Sequence, residues 1–505
     1  MINIIDRFLN KITMYRLLLY YLIGLLVIAF VLSLFHSFSF SAPTLFFSAV
    51  FFLVVNWMAN TFLAKIFHAQ TNVESVYITA LILTLIVSPI MTTQGFITDT
   101  FISLFAIASK YVLTIDKKHV FNPAAFGVFI VGLILGQNAS WWIGTMWMMP
   151  FVFLGGLLIV RKIQRFDLTF SFFIAALLTI TVFSMIGDTN DIITIIRKTI
   201  LETPLFFFAF VMLTEPLTTP PTKNLQTYYG VLTGILFAPQ LHVLKIFFSP
   251  EEALLIGNVY SYLISPKVKV FLYLKEKIQI APDIFDFVFV ASKKFSFTPG
   301  QYMEWTLAHA NSDSRGSRRY FTLASSPTED TIRIGVRFNH PSSSLKKKLI
   351  ELNASEELVA SQVAGDFILP KDPDQKIVFL AGGIGITPFR SMIKYLLDTK
   401  QKREVILFYT AKNPEEFVYK RILNEAVRLL GIKVIYTITN KHVTSWNGRI
   451  GRIDSKTIQD EISDYKKCLF YIAGPQSMVR SFYTTLKEMG VSDQQIKQDY
   501  FPGFA

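Results

Sequence analysis

Long apolar runs fill residues 15–266 of this 505-residue chain, whereas residues 268–505 alternate apolar and polar residues in short segments. Hydrophobic residues make up 52% of the chain and charged residues only 17%, an uncommon balance for a soluble globular protein. Because a bilayer span needs ~20 apolar residues, the sequence predicts a polytopic α-helical membrane domain over residues 1–266. A soluble region of one or two domains is expected to follow it.

The apolar runs predict about ten membrane spans, since each run approaches the length that crosses a bilayer. The first run, from about Tyr15 to Phe35, is too long for a signal-peptide core and is expected to be a retained span. The predicted spans are 15–36, 44–64, 76–92, 99–115, 121–137, 140–161, 168–187, 199–215, 227–247 and 252–266.

Basic residues cluster in alternate loops of this layout, and the intervening loops carry none. Positive loops mark the cytoplasmic face of a membrane protein, so both termini and the soluble region are predicted to be cytoplasmic, at a plasma (inner) membrane. The net charge of +13 is then a property of the loops, and no nucleic-acid partner is expected. The basic loop residues on this face are Lys65, Lys110, Lys117, Lys118, Arg161, Lys162, Arg165 and Lys223.

Metal-ligating residues are scarce, and no metal site is predicted. The single cysteine, Cys468, excludes a disulfide or a four-thiolate zinc or iron–sulfur site within the chain. Transmembrane haem needs paired histidines that face each other across helices. The four histidines of residues 1–266 lie near span ends with no repeated spacing, so a haem-based membrane domain is not expected.

Two polar segments interrupt the apolar region, Lys117–Ala125 and Thr214–Thr222. The first is a basic loop that meets a helix beginning at Asn122-Pro123, and the second places Glu215 and Thr219 at a broken helix end. Irregular backbone at membrane depth is tolerated only where protein or a cavity receives its polar groups. Two interpretations stay open at this point: a functional site or a pair of ordinary interfacial loops.

The stretches KHVFNPAAFG and LTEPLTTPPTKNLQTYYGVLTGIL resemble the membrane-flavin subunits of the sodium-pumping NADH:quinone oxidoreductase and the Rnf complex. The resemblance covers most of residues 70–266 and implies a flavin (FMN or riboflavin) in the membrane domain, with Asn122 and Thr219 among its binding residues. The Ser/Thr-Gly-Ala-Thr/Ser motif that carries covalent FMN in that family does not occur here. A non-covalent flavin, or an interaction with a separately flavinylated protein, is therefore the expectation.

From residue 268 the pattern changes to short β-type runs between turn signals, which predict a six-stranded antiparallel β-barrel domain over residues 267–372. Strand alternation in Arg319–Ser325 separates Arg319 and Phe321 from Thr322. An arginine there can hold a phosphate through two parallel N–H bonds. Ser342, Ser343 and Ser344 precede a predicted helix, where hydroxyls and N–H groups suit a pyrophosphate, although such serines also serve as simple caps.

Residues 373–505 have the spacing of a parallel-sheet α/β nucleotide-binding domain. The strand KIVFLAGG turns at Gly382–Pro388 into the helix FRSMIKYLL, so that backbone and helix N-terminus face a dinucleotide. Thr410, Lys412 and Tyr419 lie at or past the end of the next strand, where a ribose or 2′-phosphate would fall. Lys412 favours NADPH while Glu415 and Glu416 argue against it, so the nucleotide is left open.

In this order, the segments resemble the plant-type ferredoxin–NADP reductase family across most of residues 268–505. The resemblance implies that FAD and NAD(P)H are the cofactors, that Thr322 bonds the reactive flavin edge, and that terminal aromatics, Phe504 among them, shield the flavin. Phe321 stands in place of the usual tyrosine, and Ala473 in place of a frequent cysteine. The implied FAD residues are Tyr302, Arg319, Phe321, Thr322, Ser325, Ser342, Ser343 and Ser344; those for the nucleotide are Gly382, Gly383, Gly385, Thr387, Pro388, Lys412, Gly474 and Pro475.

The leading hypothesis is an NAD(P)H-oxidising flavoenzyme that passes electrons through a membrane flavin to an extracytoplasmic flavoprotein or a quinone. A second hypothesis keeps the reductase but makes the membrane domain a docking platform, with electrons staying on the cytoplasmic side. A third has redox energy driving Na⁺ or H⁺ through the membrane domain, for which Asp99, Glu202 and Glu215 are the available carboxylates.

Overall fold

The structure is a computed structural model of the chain, and it divides into two compact units, Met1–Lys267 and Val268–Ala505. The residues that the structure describes are 5, 8–9, 12–67, 73–115, 118–186, 191–243, 246–265, 269–307, 309, 313, 317–339, 341–354, 356–443 and 445–501.

The first unit is helical, as predicted, with two short hairpins. A short helix, α9, runs directly into a π-helical segment, Phe208–Met212. Its elements are α1 Met14–Leu34, α2 Ala42–Ile66, α3 Val73–Ile86, α4 Thr93–Val112, β1 Thr114–Ile115, β2 Lys118–His119, α5 Pro123–Leu135, α6 Met149–Ile163, α7 Phe166–Ile186, α8 Ile192–Glu202, α9 Leu205–Phe207, α10 Lys223–Leu236, β3 His242–Val243, β4 Ile246–Phe247 and α11 Pro250–Ile264.

Three helices among the described residues, α1, α2 and α7, are long and apolar enough to cross a membrane. Two shorter apolar helices, α3 and α5, accompany them. The prediction of about ten spans is therefore wrong as a count of membrane-length helices. Many apolar runs form helices of 13 to 15 residues, which at 1.5 Å per residue reach only about 20 Å.

Prolines and hairpins account for the shortened helices. The predicted span 199–215 is divided, because α8 ends at Glu202 and α9 begins after Pro204. The runs 121–137 and 252–266 each follow a β-hairpin and begin with a proline at the first helical turn. Proline is favoured at that position because its missing N–H would have no helical partner there.

The first unit contains an internal repeat that was not predicted from the sequence. The hairpin β1–β2 leads to α5, capped by Asn122 before Pro123, and the hairpin β3–β4 leads to α11, capped by Ser249 before Pro250. In each half, a helix of 14 to 20 residues precedes the hairpin. A Pro-containing break, at Pro89 and at Pro216, precedes that helix.

The two capped helices of the repeat run antiparallel. The backbone N–H of Asn122, at the start of α5, donates to Asn258 Oδ1 in the middle of α11 at 2.8 Å. Beyond the other end of α5, Trp141 Nε1 donates to Glu251 Oε2 in the first turn of α11 at 2.9 Å. The polar N-terminal end of α5 therefore lies against the middle of α11.

The second unit begins with six antiparallel strands, in the spatial order β8-β7-β10-β5-β6-β9. The six-stranded antiparallel prediction is confirmed, although the sheet is a half-barrel with β8 and β9 at its edges. Beyond the end of β8, Ala324 N donates to Arg333 O of β9 at 2.8 Å. The elements are β5 Lys269–Ala281, β6 Ile284–Ala291, β7 Tyr302–Thr306, β8 Arg318–Thr322, β9 Ile332–Arg337, α12 Ser344–Glu351 and β10 Glu357–Ala364.

A parallel sheet follows, in the order β14-β13-β12-β11-β15-β16, as the α/β prediction requires. Alternate residues of β11 enter two cores: Phe379 and Ala381 pack on one face and Val378 and Leu380 on the other. A strand buried on both faces explains the continuous apolar run. The elements are β11 Ile377–Gly382, α13 Thr387–Asp398, β12 Val405–Ala411, α14 Lys420–Leu430, β13 Lys433–Ile438, β14 Arg449–Ile450, α15 Ser455–Glu461, β15 Leu469–Pro475, α16 Gln476–Glu488 and β16 Ile496–Phe501.

Candidate functional site

Arg319 and the start of α12 converge on one anionic group. The carboxylate of Asp313 lies 3.9 Å from Arg319 Nη2, and its Oδ2 accepts the backbone N–H of Ser344 at 3.0 Å. The Arg319 side chain is only 10% exposed. A carboxylate and a phosphate accept hydrogen bonds from the same kinds of donor. Because Arg319 and the Ser344 N–H already face the Asp313 carboxylate, they form an anion site that also suits a pyrophosphate.

The three predicted serines have three different roles. Ser344 faces the anion site. Its Oγ accepts a hydrogen bond from the backbone N–H of Asp313 at 2.9 Å, and its own backbone N–H donates to the Asp313 carboxylate. Ser343 is buried and caps α12 by accepting from Lys346 N at 3.4 Å. Ser342 donates its hydroxyl to Asn339 O within its own loop.

Aromatic side chains occupy both faces of strand β8. Phe321 packs inward, with its ring centroid 6.3 Å from that of Trp305 in the barrel core. Tyr320 points the other way, is 47% exposed, and meets Tyr302 edge-on at 5.6 Å. Its hydroxyl donates to the buried carboxylate of Glu304 at 3.1 Å. The alternation of the strand is as predicted, and the aromatic pair that faces outward is Tyr302 and Tyr320.

Thr322 and Ser325 lie at the end of β8. Thr322 is buried and lies opposite Tyr302 in the β7–β8 register. Ser325 is fully buried, with its hydroxyl accepting from Arg333 N at 3.1 Å. Ser325 thus contributes to the local backbone arrangement, while Thr322 is adjacent to the outward aromatic pair.

The glycine turn after β11 is closely packed and leads into α13. Gly383 has φ +53°, a left-handed conformation that favours glycine. A side chain at Gly385 would place its Cβ 2.4 Å from Ala473 O and 2.6 Å from Gly474 Cα, so the turn can adopt this path only with glycine. Thr387 and Pro388 begin α13, with Thr387 Oγ1 donating to Ile384 O at 3.2 Å.

The carboxyl edge of the parallel sheet brings the remaining nucleotide candidates together. Thr410 lies opposite Gly382 in the β11–β12 register. Its hydroxyl is buried and has no hydrogen-bond partner among the described residues. Lys412 is exposed beyond the strand. Glu416 is buried and forms an ion pair with Arg337, so only Glu415 of the two predicted carboxylates is exposed. An unpartnered hydroxyl at this edge suits a sugar or phosphate oxygen.

A polar cluster between the half-barrel and the parallel-sheet domain was not predicted from the sequence. Tyr419 donates to Asp286 Oδ1 at 3.0 Å, and Arg333 Nη1 donates to Asp286 Oδ2 at 2.8 Å. Burial raises the pKa of Asp286, against the lowering effect of Arg333, and burial also raises the pKa of Tyr419. Tyr419, considered for ribose binding, instead faces the half-barrel; its sequence position alone gives no signal of this contact.

In the first unit, the two candidate residues bond the same residue, Glu215. Asn122 Nδ2 donates to Glu215 Oε2 at 2.9 Å, and the Thr219 hydroxyl donates to the backbone carbonyl of the same residue. Asn258 extends the cluster by donating to Tyr229 Oη at 3.0 Å. Asn122, Thr219 and Asn258 are all buried. The two polar segments of the sequence therefore form one buried junction.

The remaining candidates lie elsewhere. Gly474 is buried and Pro475 exposed at the end of β15, beside the glycine turn. Phe504 lies outside the described residues. Asp499 lies on β16 next to β15 and was not among the predicted site residues; burial raises its pKa to about 6.

Comparison with known proteins bears on the second unit. The family model for the oxidoreductase NAD-binding domain matches residues 379–483. The chain is 29% identical over 232 residues to human oxidoreductase NAD-binding domain-containing protein 1, covering 41% of this chain and 71% of that protein. It is 25% identical over 211 residues to the flavohemoprotein of Oceanobacillus iheyensis, covering 41% of this chain and 52% of the relative, about half its length.

The family match includes the glycine turn and the end of β15, which the geometry had brought together. The second unit therefore contains an oxidoreductase NAD-binding domain, and it is similar to ferredoxin-reductase-type enzymes. The matched domain supports a nicotinamide nucleotide as one cofactor, and FAD stays the expected flavin. Among solved structures, the Amycolatopsis cytochrome P450 reductase GcoB is 20% identical with a TM-score of 0.43, over 47% of this chain and 72% of that one.

For this reductase unit, the residues present fit both cofactors. Arg319 and Ser344 would hold the pyrophosphate of FAD where Asp313 now lies, and the glycine turn with Thr387 would face the nucleotide phosphates. Bound FAD supplies the hydride-accepting chemistry, and the protein binds and orients. The membrane unit's resemblance to membrane-flavin subunits stays a prediction.

Proposed function

We propose that the reductase unit oxidises NAD(P)H on the cytoplasmic side and passes the electrons into the membrane unit, from which an extracytoplasmic flavoprotein or a quinone receives them. The membrane unit would hold a second, non-covalent flavin for this purpose. One observation carries the proposal: the two polar segments of the membrane unit meet as a buried junction, in which Asn122 bonds Glu215 at 2.9 Å.

The composition of that junction supports a flavin rather than a plain anchor. Amide, carboxylate and hydroxyl groups provide both donors and acceptors, which is what the polar edge of a flavin ring requires. Such groups are costly inside a membrane, and they usually mark a functional site. A membrane anchor needs only apolar helices, which α1, α2 and α7 already supply.

Flavin content of the full chain, purified in detergent, separates this proposal from its alternative. Transmembrane transfer predicts FAD plus a second, acid-extractable flavin in each chain. Asn122→Ala is expected to lose the second flavin and keep FAD, whereas Asn224→Ala, the same change at an exposed position of α10, keeps both. One FAD in each unmodified chain would favour a reductase that is docked on the membrane and delivers electrons to quinone or a soluble carrier.

Electron transfer itself is tested in sealed proteoliposomes that contain ferricyanide. Added NADH or NADPH should reduce the trapped ferricyanide through the unmodified protein and not through Asn122→Ala, although both proteins still reduce ferricyanide added outside. Reduction confined to the outside in the unmodified protein would contradict transmembrane transfer and leave the cytoplasmic reductase intact.

A further inference from the structure

Helix α13 begins directly after the glycine turn, and two of its side chains form hydrogen bonds with the backbone just beyond strand β8. Ser391 Oγ donates to the backbone carbonyl of Ser325 at 2.6 Å, and Arg390 Nη1 donates to that of Ala324 at 2.9 Å. Ser391 is fully buried and Arg390 is 3% exposed. Ala324 and Ser325 follow Thr322 within three residues, so the bonds act on the backbone next to the predicted flavin contact.

The same helix also contacts the turn before β7, the neighbouring strand that carries Tyr302. The Met392 methyl group lies 2.5 Å from the position that a Cβ on Gly300 would occupy. Gly300 precedes Tyr302 by two residues, and Gln301 O accepts Leu323 N at 3.0 Å. Helix α13 is therefore packed against the ends of both strands that carry the outward aromatic pair.

The opposite edge of the half-barrel packs on the glycine turn. A Cβ on Gly335 of β9 would lie 2.7 Å from Tyr419 Oη, 2.9 Å from Thr387 Cγ2 and 3.0 Å from Ile384 Cδ1. A methyl group at this position would fit only if these neighbouring side chains shifted. The turn that faces the nucleotide is consequently held between α13 and β9.

We infer that Ser391 is a positioning residue for hydride transfer, and that its bond to Ser325 helps set the distance between nicotinamide and flavin. This inference rests on the proposed binding of NAD(P)H at the glycine turn and of FAD along β8. Hydride donor and acceptor must approach to about 3–3.5 Å, and a shift of ~1 Å can slow such a step about a hundredfold. Ser391 acts through the backbone and need not contact either cofactor.

Ser391 provides a cleaner test than its neighbour Arg390. Arg390 also donates Nη2 to Glu329 Oε1 at 2.8 Å, so its removal would leave a mostly buried carboxylate without its main partner. Ser391→Ala removes one donor and leaves the volume of the site almost unchanged. Ser481→Ala, the same change at an exposed position of α16, is the matched control.

The experiment measures anaerobic reduction of FAD by NADH and NADPH in the full-length protein by stopped-flow absorbance. Ser391→Ala should retain its FAD and bind nucleotide within about twofold of the unmodified protein, but reduce FAD about tenfold more slowly. With nicotinamide deuterated at C4, the isotope effect on this step should persist, showing that hydride transfer itself is slowed. Ser481→Ala should match the unmodified protein throughout.

A second variant, Gly335→Ala, acts on the other side of the turn, and it should also slow FAD reduction while FAD content is kept. An unchanged reduction rate in Ser391→Ala, with only its melting temperature lowered, would show a purely structural contact and overturn the inference. If the unmodified protein oxidises neither nucleotide, the proposed function itself fails, and that result is distinct from either outcome for the variants.

Discussion

The carboxylate of Asp313 lies 3.9 Å from the guanidinium of Arg319 and also accepts the N–H of Ser344. One internal anion thus occupies the donors that the reductase unit is expected to offer to the FAD pyrophosphate. Binding of FAD must then displace or repel Asp313. The anion site can therefore be tested by a substitution at Asp313, which leaves the donors Arg319 and Ser344 unchanged.

Replacing Asp313 with asparagine should tighten FAD binding. The substitution removes a negative charge that competes with the pyrophosphate, and a partly exposed ion pair of this kind is worth ~1 kcal/mol or less, so the Kd for FAD should fall by up to about fivefold. The measurement is fluorescence titration of flavin-depleted protein. Asp330→Asn, at an exposed position of the half-barrel, should leave the Kd unchanged. Weaker binding in Asp313→Asn would contradict the proposed competition.

Replacing Arg319 with alanine should weaken FAD binding strongly. A hydrogen bond to a charged group contributes ~1.5–3 kcal/mol, so the Kd should rise by about tenfold or more. Arg319→Lys should restore the binding only in part, because lysine cannot form two parallel bonds to a phosphate. Flavin retained per chain after gel filtration checks both variants. Full retention in Arg319→Ala would place the pyrophosphate elsewhere.

Replacing Thr322 with valine should slow flavin reduction while FAD stays bound. The change preserves shape and removes the hydroxyl that is predicted to bond the reactive edge of the flavin, and one such bond is worth ~1 kcal/mol. We expect a reduction rate about fivefold lower in stopped-flow measurements. Thr306→Val, at the end of β7, serves as the control. Equal rates in Thr322→Val and the unmodified protein would remove Thr322 from the reaction.

Asp499 should make the stability of the reductase unit depend on pH. Burial raises its pKa from 3.8 to about 6 in the folded protein, so the folded state binds more protons than the unfolded state in this interval. Stability is then highest below the ordinary pKa and is lost as the pH rises through about 6. Asp499→Asn should raise the melting temperature at about pH 7.5 more than at about pH 4.5. Equal effects at both values would contradict a raised pKa for Asp499.

Much of the reductase unit could be predicted from the sequence because its signals are local. The doubly buried strand β11 and the turn Gly382–Pro388 are adjacent in the chain, and their conformation follows from glycine and proline chemistry. The contact between Ser391 and Ser325 could not be predicted in this way, since it joins residues 66 positions apart. The sequence around a buried helical serine does not indicate which backbone carbonyl its hydroxyl will bond.

The membrane unit was harder to predict for a physical reason. Hydrophobicity shows that a segment is apolar but not whether its helix crosses the bilayer, so α5 and α11 were predicted as spans although they are helices of 13 and 15 residues. The residues Asn122 and Thr219 were identified from the irregular segments around them. The bond from Asn122 to Glu215 depends on the packing of the two halves, which hydrophobic periodicity does not report.

The most direct test of the account is an anaerobic titration of the purified full-length protein with NADH and with NADPH, followed by flavin absorbance. We predict a yellow protein that contains FAD and whose flavin absorbance is bleached by at least one of the two nucleotides. A colourless protein that takes up no added FAD and oxidises neither nucleotide would contradict it.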